Sequence, residues 1–154
     1  MPDSGPPSDL AEEASTRLRG RCTVAVAESL TGGLVSSALA KAPGASDWFR
    51  GGLVAYSSAV KHDVLGVPPG PVVTAEAAEA MARGARRLLS ADVAAAVTGV
   101  YGPDEQDGRA PGTVFVAVAT AEGCRAEEYH LVGDPGKVCA DAVTATLALL
   151  LAAL

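Results

Sequence analysis

Residues 22–44, CTVAVAESLTGGLVSSALAKAPG, decide how this chain is read. The first part is a continuous apolar run, long enough for a buried strand and short for a helix. Glu28, Ser29 and Thr31 follow, then Gly32 and Gly33. The rest places Leu34, Val35, Ala38 and Leu39 on one helical face until Pro43-Gly44 stops it. A strand running through so tight a turn into a helix is half of an α/β unit.

Outward from that unit the alternation continues. Asp9 is expected to N-cap a helix, DLAEEASTRLRG, with Glu12 three residues on. GGLVAYSS (51–58) reads as a second strand and AVKHDVLGV (59–67) as a short helix or turn. Thr74 opens a long helix, TAEAAEAMARGARRLLSA, and DVAAAVTGV (92–100) is a third buried strand. After the loop YGPDEQDGRAPG, TVFVAVAT and CRAEEYHLV flank AEG, an antiparallel hairpin with a three-residue connection. DPGKVCADAVTATLALLLAAL closes as a helix. Strands alternating with helices and ending in a hairpin predict a mixed sheet with helices on both faces. Ligands of such sheets sit beyond the carboxyl ends of the strands, here loops 28–33, 56–61 and 98–112.

Bulk properties narrow the function. The 154 residues suit one domain, expected over 9–154, with 1–8 (polar and Pro-rich) a disordered lead-in. Aromatics are only 4%, so the core must be mostly Ala, Val and Leu. A net charge of −6 argues against a nucleic-acid footprint, which needs cations to neutralise phosphates. Three cysteines without a C-x-x-C pair argue against a disulfide framework or zinc site and suit a reduced, cytoplasmic protein. The polar N-terminus shows no signal peptide, and the apolar run VTATLALLLAAL is shorter than a bilayer span of roughly 20 residues. No membrane association is expected. The run 147–154 exceeds what one helix face buries, which fits either a homodimer or a deeply buried helix.

Residue types in the three loops admit a structural and a chemical reading. Ser29 or Thr31 can simply cap the following helix. Equally, Ser29 can attack a carbonyl while N–H groups at the helix start hold the oxyanion. Such a serine needs a base. His62 follows a lysine in a turn and His130 lies in the hairpin, so both read as surface or structural. Of the lysines Lys41, Lys61 and Lys137, Lys61 follows the second strand closely and can reach the sheet's carboxyl edge. As a base it must be neutral, far from its ordinary pKa of roughly 10.4; taken alone, a solvated lysine is the simpler reading. Tyr56 either packs or relays a proton between Ser29 and Lys61. Asp104, Glu105 and Asp107 lack the spacing of a calcium loop and read as a solvated acidic stretch. Arg109 suits an anion, and the glycines of that loop are expected to make it flexible enough to wrap a ligand.

Three blocks, AESLTGGLVSSALAKAPGASDWFRGGLVAYSSAVKHDVLGV, VTGVYGPDEQDGRAPGTVFVAV and GDPGKV, resemble in order the CinA C-terminal domain family over about residues 9–154. The resemblance implies a three-layer α/β/α sandwich and hydrolysis of nicotinamide mononucleotide to nicotinate mononucleotide and ammonia. It implies Ser29 as nucleophile, Lys61 as base and Tyr56 beside them, no metal and no organic cofactor, and a homodimer. The ligand-facing set is then Glu28, Thr31, Gly32, Gly33, Ser57, Thr98, Gly99, Gly102, Arg109 and Gly112, with amides of Thr31 to Gly33 as oxyanion donors. The chain departs from the family pattern at Leu30 (a cysteine there), Ser58 (asparagine), Tyr101 (a small residue), Glu105-Gln106 (glycines) and Pro135 (arginine). Those departures leave two alternatives, an amidase of this fold for another small amide and a non-catalytic nucleotide- or partner-binding module.

Overall fold

A computed structural model describes residues 5–154. The order is α1 (Pro7–Leu18), β1 (Val24–Glu28), α2 (Leu34–Ala40), β2 (Phe49–Val54), α3 (Ser58–Asp63), α4 (Ala75–Leu88), β3 (Val93–Gly99), β4 (Thr113–Thr120), β5 (Gly123–His130) and α5 (Pro135–Ala152). The strands form one sheet in the order β2-β1-β3-β4-β5. β2, β1 and β3 run parallel, while β4 is antiparallel to both β3 and β5. The expected α/β sandwich with a mixed sheet is therefore what the chain forms.

Alternate side chains explain the layering. Val24, Val26, Val97, Val114, Val116 and Val118 face α1, α2 and α5, packing with Leu18, Leu39, Trp48, Leu147 and Leu150. The opposite face presents Ala25, Ala27, Ala94, Ala96, Phe115 and Ala117 to α4, which meets it with Ala78, Met81, Ala82 and Ala85. Small residues on both sides let α4 sit close. A Cβ on Gly84 would stand 2.3 Å from the Leu65 carbonyl oxygen, so the segment after α3 crosses α4 at backbone distance.

Several boundaries differ from expectation. α1 begins at Pro7, a residue suited to the first helical position, and its N-cap is Pro6, so Asp9 lies inside the first turn. Pro7 and Ser8 thus belong to a helix and not to a lead-in; residues 1–4 of that segment lie outside the described residues. Leu34 is 52% exposed, because only Val35 and Leu39 of so short a helix reach the core. The hairpin turns on Ala121-Glu122 alone, since Gly123 already pairs with Thr120. Thr74 caps α4 as expected, accepting the Ala77 amide at 3.0 Å. α5 is long and apolar enough to cross a membrane by length and composition, yet Leu147, Leu149, Leu150 and Leu151 are buried within this chain. The C-terminal apolar run is consumed internally and lends no support to a dimer.

Candidate active site

The carboxyl ends of β1, β2 and β3 meet at one edge, together with the start of β4. At the end of β1 stands Glu28, fully buried. Its Oε1 accepts the Thr31 hydroxyl (2.6 Å) and the amides of Gly33 (3.2 Å) and Val35 (2.9 Å). Its Oε2 accepts the Ser36 amide (2.9 Å) and hydroxyl (2.7 Å). Glu28 therefore caps α2 from the strand, filling the positive end of the helix with the protein's own anion. Gly32 (φ +58°) and Gly33 (φ +105°) supply the left-handed steps that fold the turn back. A Cβ on Gly52 would stand 2.0 Å from Ser36 Oγ, so β2 keeps a glycine where Ser36 must reach Glu28.

This arrangement changes four sequence expectations. Neither Ser29 nor Thr31 caps α2; Gly33 is the N-cap and makes no side-chain cap bond. Glu28 accepts five hydrogen bonds and the Thr31 hydroxyl donates its one proton to it, so both serve the turn. The Gly33 amide is held by Glu28 and the Gly32 amide by the Ser29 carbonyl (3.1 Å), which removes both as oxyanion donors. The amides of Leu30 and Thr31 donate to no described residue, nor does the Ser29 hydroxyl, although Ser29 is only 6% exposed.

Beside this turn lies Lys61. The β1–β2 pairing carries one step past β2, with the Ala55 amide donating to the Glu28 carbonyl at 2.8 Å, so Ser29 leaves the sheet beside Ala55, the residue before Tyr56. β2 ends at Val54, earlier than expected, and Ser57 caps α3 by accepting the Val60 amide at 3.3 Å. Capping, not ligand contact, is the role the structure gives the Ser57 hydroxyl. Lys61 is 2% exposed, and its Nζ donates to the Tyr56 carbonyl at 3.3 Å. Burial pushes the amine below the ordinary lysine range, opposed by the negative charge of Asp107. Tyr56 enters through its carbonyl; the residue is 64% exposed and its phenol bonds neither Ser29 nor Lys61. His62 turns Nδ1 to the Val67 carbonyl (2.9 Å), and His130 pairs with Glu128 (2.7 Å), both structural as expected.

The loop between β3 and β4 is tethered and not free to wrap. The Thr98 hydroxyl donates to the Val72 carbonyl at 2.9 Å. Gly99 and Gly112 are demanded by backbone crossings, because a Cβ would stand 2.7 Å from Thr113 O and 2.0 Å from Leu131 O respectively. Gly102 (φ +93°) packs toward Pro111. Asp107 is exposed, as a solvated stretch implies, and it also accepts the amides of Val72 (2.8 Å) and Val73 (3.1 Å). The signal for this was present: Asp-Gly at 107–108 marks a two-residue turn with both φ positive. The Arg109 guanidinium lies 5.3 Å over the Phe115 ring. Lys137 is held by Asp141 at 2.6 Å. All three cysteines are free thiols pushed upward by burial, so none is primed as a nucleophile. A cavity of about 410 Å³ lies between α1, α2 and α5, lined by Ala11, Leu34, Ala38 and Val143, and none of Ser29, Tyr56 or Lys61 borders it.

The chain is similar to known proteins over most of its length. Residues 8–154 match the model of the CinA C-terminal domain. A CinA-like protein of Geobacter metallireducens is 45% identical over 122 residues, covering 75% of this chain and 30% of that protein. A putative competence-damage inducible protein of Streptococcus agalactiae is 49% identical over 116 residues, 72% of this chain and 28% of that protein. The chain thus spans less than a third of these curated relatives. Among solved structures, a CinA superfamily protein of Enterobacter cloacae superposes with a TM-score of 0.92 at 31% identity, covering 96% of this chain and 92% of that one. One from Escherichia coli gives 0.91 at 32% identity, covering 100% and 94%. By the family model matched over residues 8–154 and by these relatives, the chain belongs to the CinA C-terminal domain family.

Proposed function

We propose that the chain is an amidohydrolase that deamidates nicotinamide mononucleotide through Ser29 and Lys61. The observation that carries this reading is a buried lysine with one hydrogen bond, held below its ordinary pKa, on the helix that follows β2 at the sheet edge where an unengaged buried serine follows β1. Neutral Lys61 Nζ takes the Ser29 proton as Oγ attacks the carboxamide carbon. The pyridinium cation withdraws electrons from that carbon and, as a positive neighbour, favours neutral lysine. The amides of Leu30 and Thr31 receive the oxyanion, a placement directly after the nucleophile. The C–N bond breaks as the amine takes a proton from Lys61, with the exposed Tyr56 phenol closing on the leaving ammonia. Water then attacks the ester, Lys61 accepts its proton and returns one to Ser29 Oγ, and the carboxylate leaves. The ribose phosphate lies along the 100–112 loop, with Arg109 as its cation.

A second reading, the same chemistry on an amide without phosphate, is favoured by that loop's surface. Asp104 and Glu105 are exposed there, Arg109 is already stacked, and Lys137 is already paired. Ammonia release is measured from nicotinamide mononucleotide and from its phosphate-free riboside, each with Ser29→Ala alongside. Release lost in the variant supports the Ser29 reading, and the better substrate decides between the two. A folded wild-type chain that releases none from either sinks both. We further take the chain to be cytoplasmic and homodimeric. Its free thiols suit a reducing compartment. Leu34, Val54, Val60 and Val64 are exposed by the unpaired edge of β2 and on α3, and sedimentation tests the dimer.

A further inference from the structure

Asp107 has no part in the chemistry above, yet the loop is built around it. The amide and carbonyl of Gln106 exchange hydrogen bonds with those of Arg109 (3.1 and 2.8 Å). Asp107 (φ +52°) and Gly108 (φ +72°) form the two-residue tip between them. An aspartate tolerates that backbone region, and here the tip carries its carboxylate onto Val72 and Val73. Val72 is gripped on both polar groups, its amide by Asp107 and its carbonyl by Thr98. Val72 and Val73 are buried in one cluster with Leu65 and Val67, the segment leaving α3. The Val67 amide in turn donates to the Lys61 carbonyl at 3.1 Å. The loop tip and the backbone of Lys61 are therefore both tied to the one buried cluster that holds Val67, Val72 and Val73.

Other charges near Lys61 are committed elsewhere. On its own helix His62 faces the Val67 carbonyl and Asp63 is exposed. From β1, Glu28 is saturated by α2. From the loop, Asp104 and Glu105 are exposed and Arg109 lies on Phe115; from α4, Glu76 is exposed. Asp107 is the charge that acts on the Lys61 amine.

We propose that Asp107 is the positioning residue of Lys61: its carboxylate fixes Val72 and Val73 in the cluster against which the segment leaving α3 packs, and its charge acts on Lys61 from there. The kinetic part of this inference rests on the amidase reading; the structural and titration parts do not. Two substitutions separate the roles. Asp107→Asn keeps an oxygen for the two amides and removes the charge. Asp107→Ala removes both.

The experiment uses the full chain. It follows the Lys61 side-chain carbon resonance against pH, amide exchange at Val72 and Val73, and ammonia release against pH. Asp107→Asn is expected to lower the Lys61 midpoint and move the acidic limb of kcat/KM to lower pH, with KM nearly unchanged. The wild-type to Asn difference is expected to shrink in high salt, because Asp107 is exposed. Asp107→Ala is expected to speed exchange at Val72 and Val73 about tenfold, the loss of one such bond. An unchanged Lys61 midpoint in Asp107→Asn overturns the proposal, even if ammonia is released. A lowered midpoint with no ammonia from any variant upholds it and overturns the amidase reading instead.

Discussion

Glu28 and Lys61 are both buried at the carboxyl edge of one sheet, 0% and 2% exposed, and they are treated in opposite ways. Glu28 accepts five hydrogen bonds from one turn and one helix start. Lys61, with three donors to satisfy, has one partner at 3.3 Å. A buried charge that is fully paired holds structure, whereas one left short of partners shifts its protonation. The edge thus separates two jobs that a sequence shows only as an acid and a base. Glu28 gives the turn its shape, and Lys61 is left short of partners.

The sharpest way to break this contrast is Lys61→Met. Activity is expected to fall by about 10³-fold or more, as for loss of a member of a nucleophile–base pair. Stability is expected to rise by about 1–2 kcal/mol, because a poorly paired buried amine gives way to an apolar chain. The sign with pH follows from the depressed pKa. The unfolded chain binds the extra proton, so wild-type stability climbs as pH rises through the Lys61 range. The advantage of Met is therefore largest at low pH. Thermal melts across pH check it; a destabilised Met variant would place Lys61 with Glu28 as a structural charge.

Glu28→Ala is the converse. Removing the carboxylate strands the donors of Thr31, Gly33, Val35 and Ser36, and a loss of about 3–5 kcal/mol is expected in denaturant titration. A loss under about 1 kcal/mol would mean water replaces the carboxylate cheaply. Tyr56→Phe is expected to cost about 10- to 100-fold in kcat, the range of a weak general acid. Its melting point should hardly move, since the residue is exposed. Unchanged kcat would leave Tyr56 contributing only its carbonyl. Gly52→Ala acts at a distance. Its methyl meets Ser36 Oγ and Val26, so about 1–3 kcal/mol of stability is lost by displacing one of Glu28's donors. The smallest effect is in the pH profile: kcat/KM is expected to rise through a limb below the ordinary lysine value near 10.4. A limb at that value would show a solvated Lys61.

The sheet and its helices were legible because each rests on a local pattern. Valines and alanines alternate through 24–27, unbroken apolar runs follow at 93–97 and 114–119, and Thr74 announces its helix by type and place. The site was legible in part. Ser29 and Lys61 stand at strand ends, where topology puts ligands. What could not be read was which hydroxyl, acid and amide pair with each other. Glu28 sits next to Ser29 in sequence and points to a helix that starts six residues later. Asp107 ties to residues 35 and 34 positions away. Such pairings depend on how loops fold over one another, and no periodicity encodes them. The Asp-Gly turn at 107–108 is the exception, a local signal that composition hid inside an acidic stretch.

The antiparallel setting of β4 carries a consequence for how such a domain can diversify. Because β4 returns beside β3, the loop across the edge is closed at its base by the Val100 amide to the Thr113 carbonyl (2.9 Å) and the Gly112 amide to the Val100 carbonyl (3.0 Å). Its ends are thus pinned to neighbouring strands whatever lies between. Lengthening a loop held this way adds only about 0.6 kcal/mol for each doubling, and it disturbs neither the sheet nor the segments after β1 and β2 that carry Ser29 and Lys61. The segment between those ties can change in length and composition while Ser29 and Lys61 keep their places at the edge.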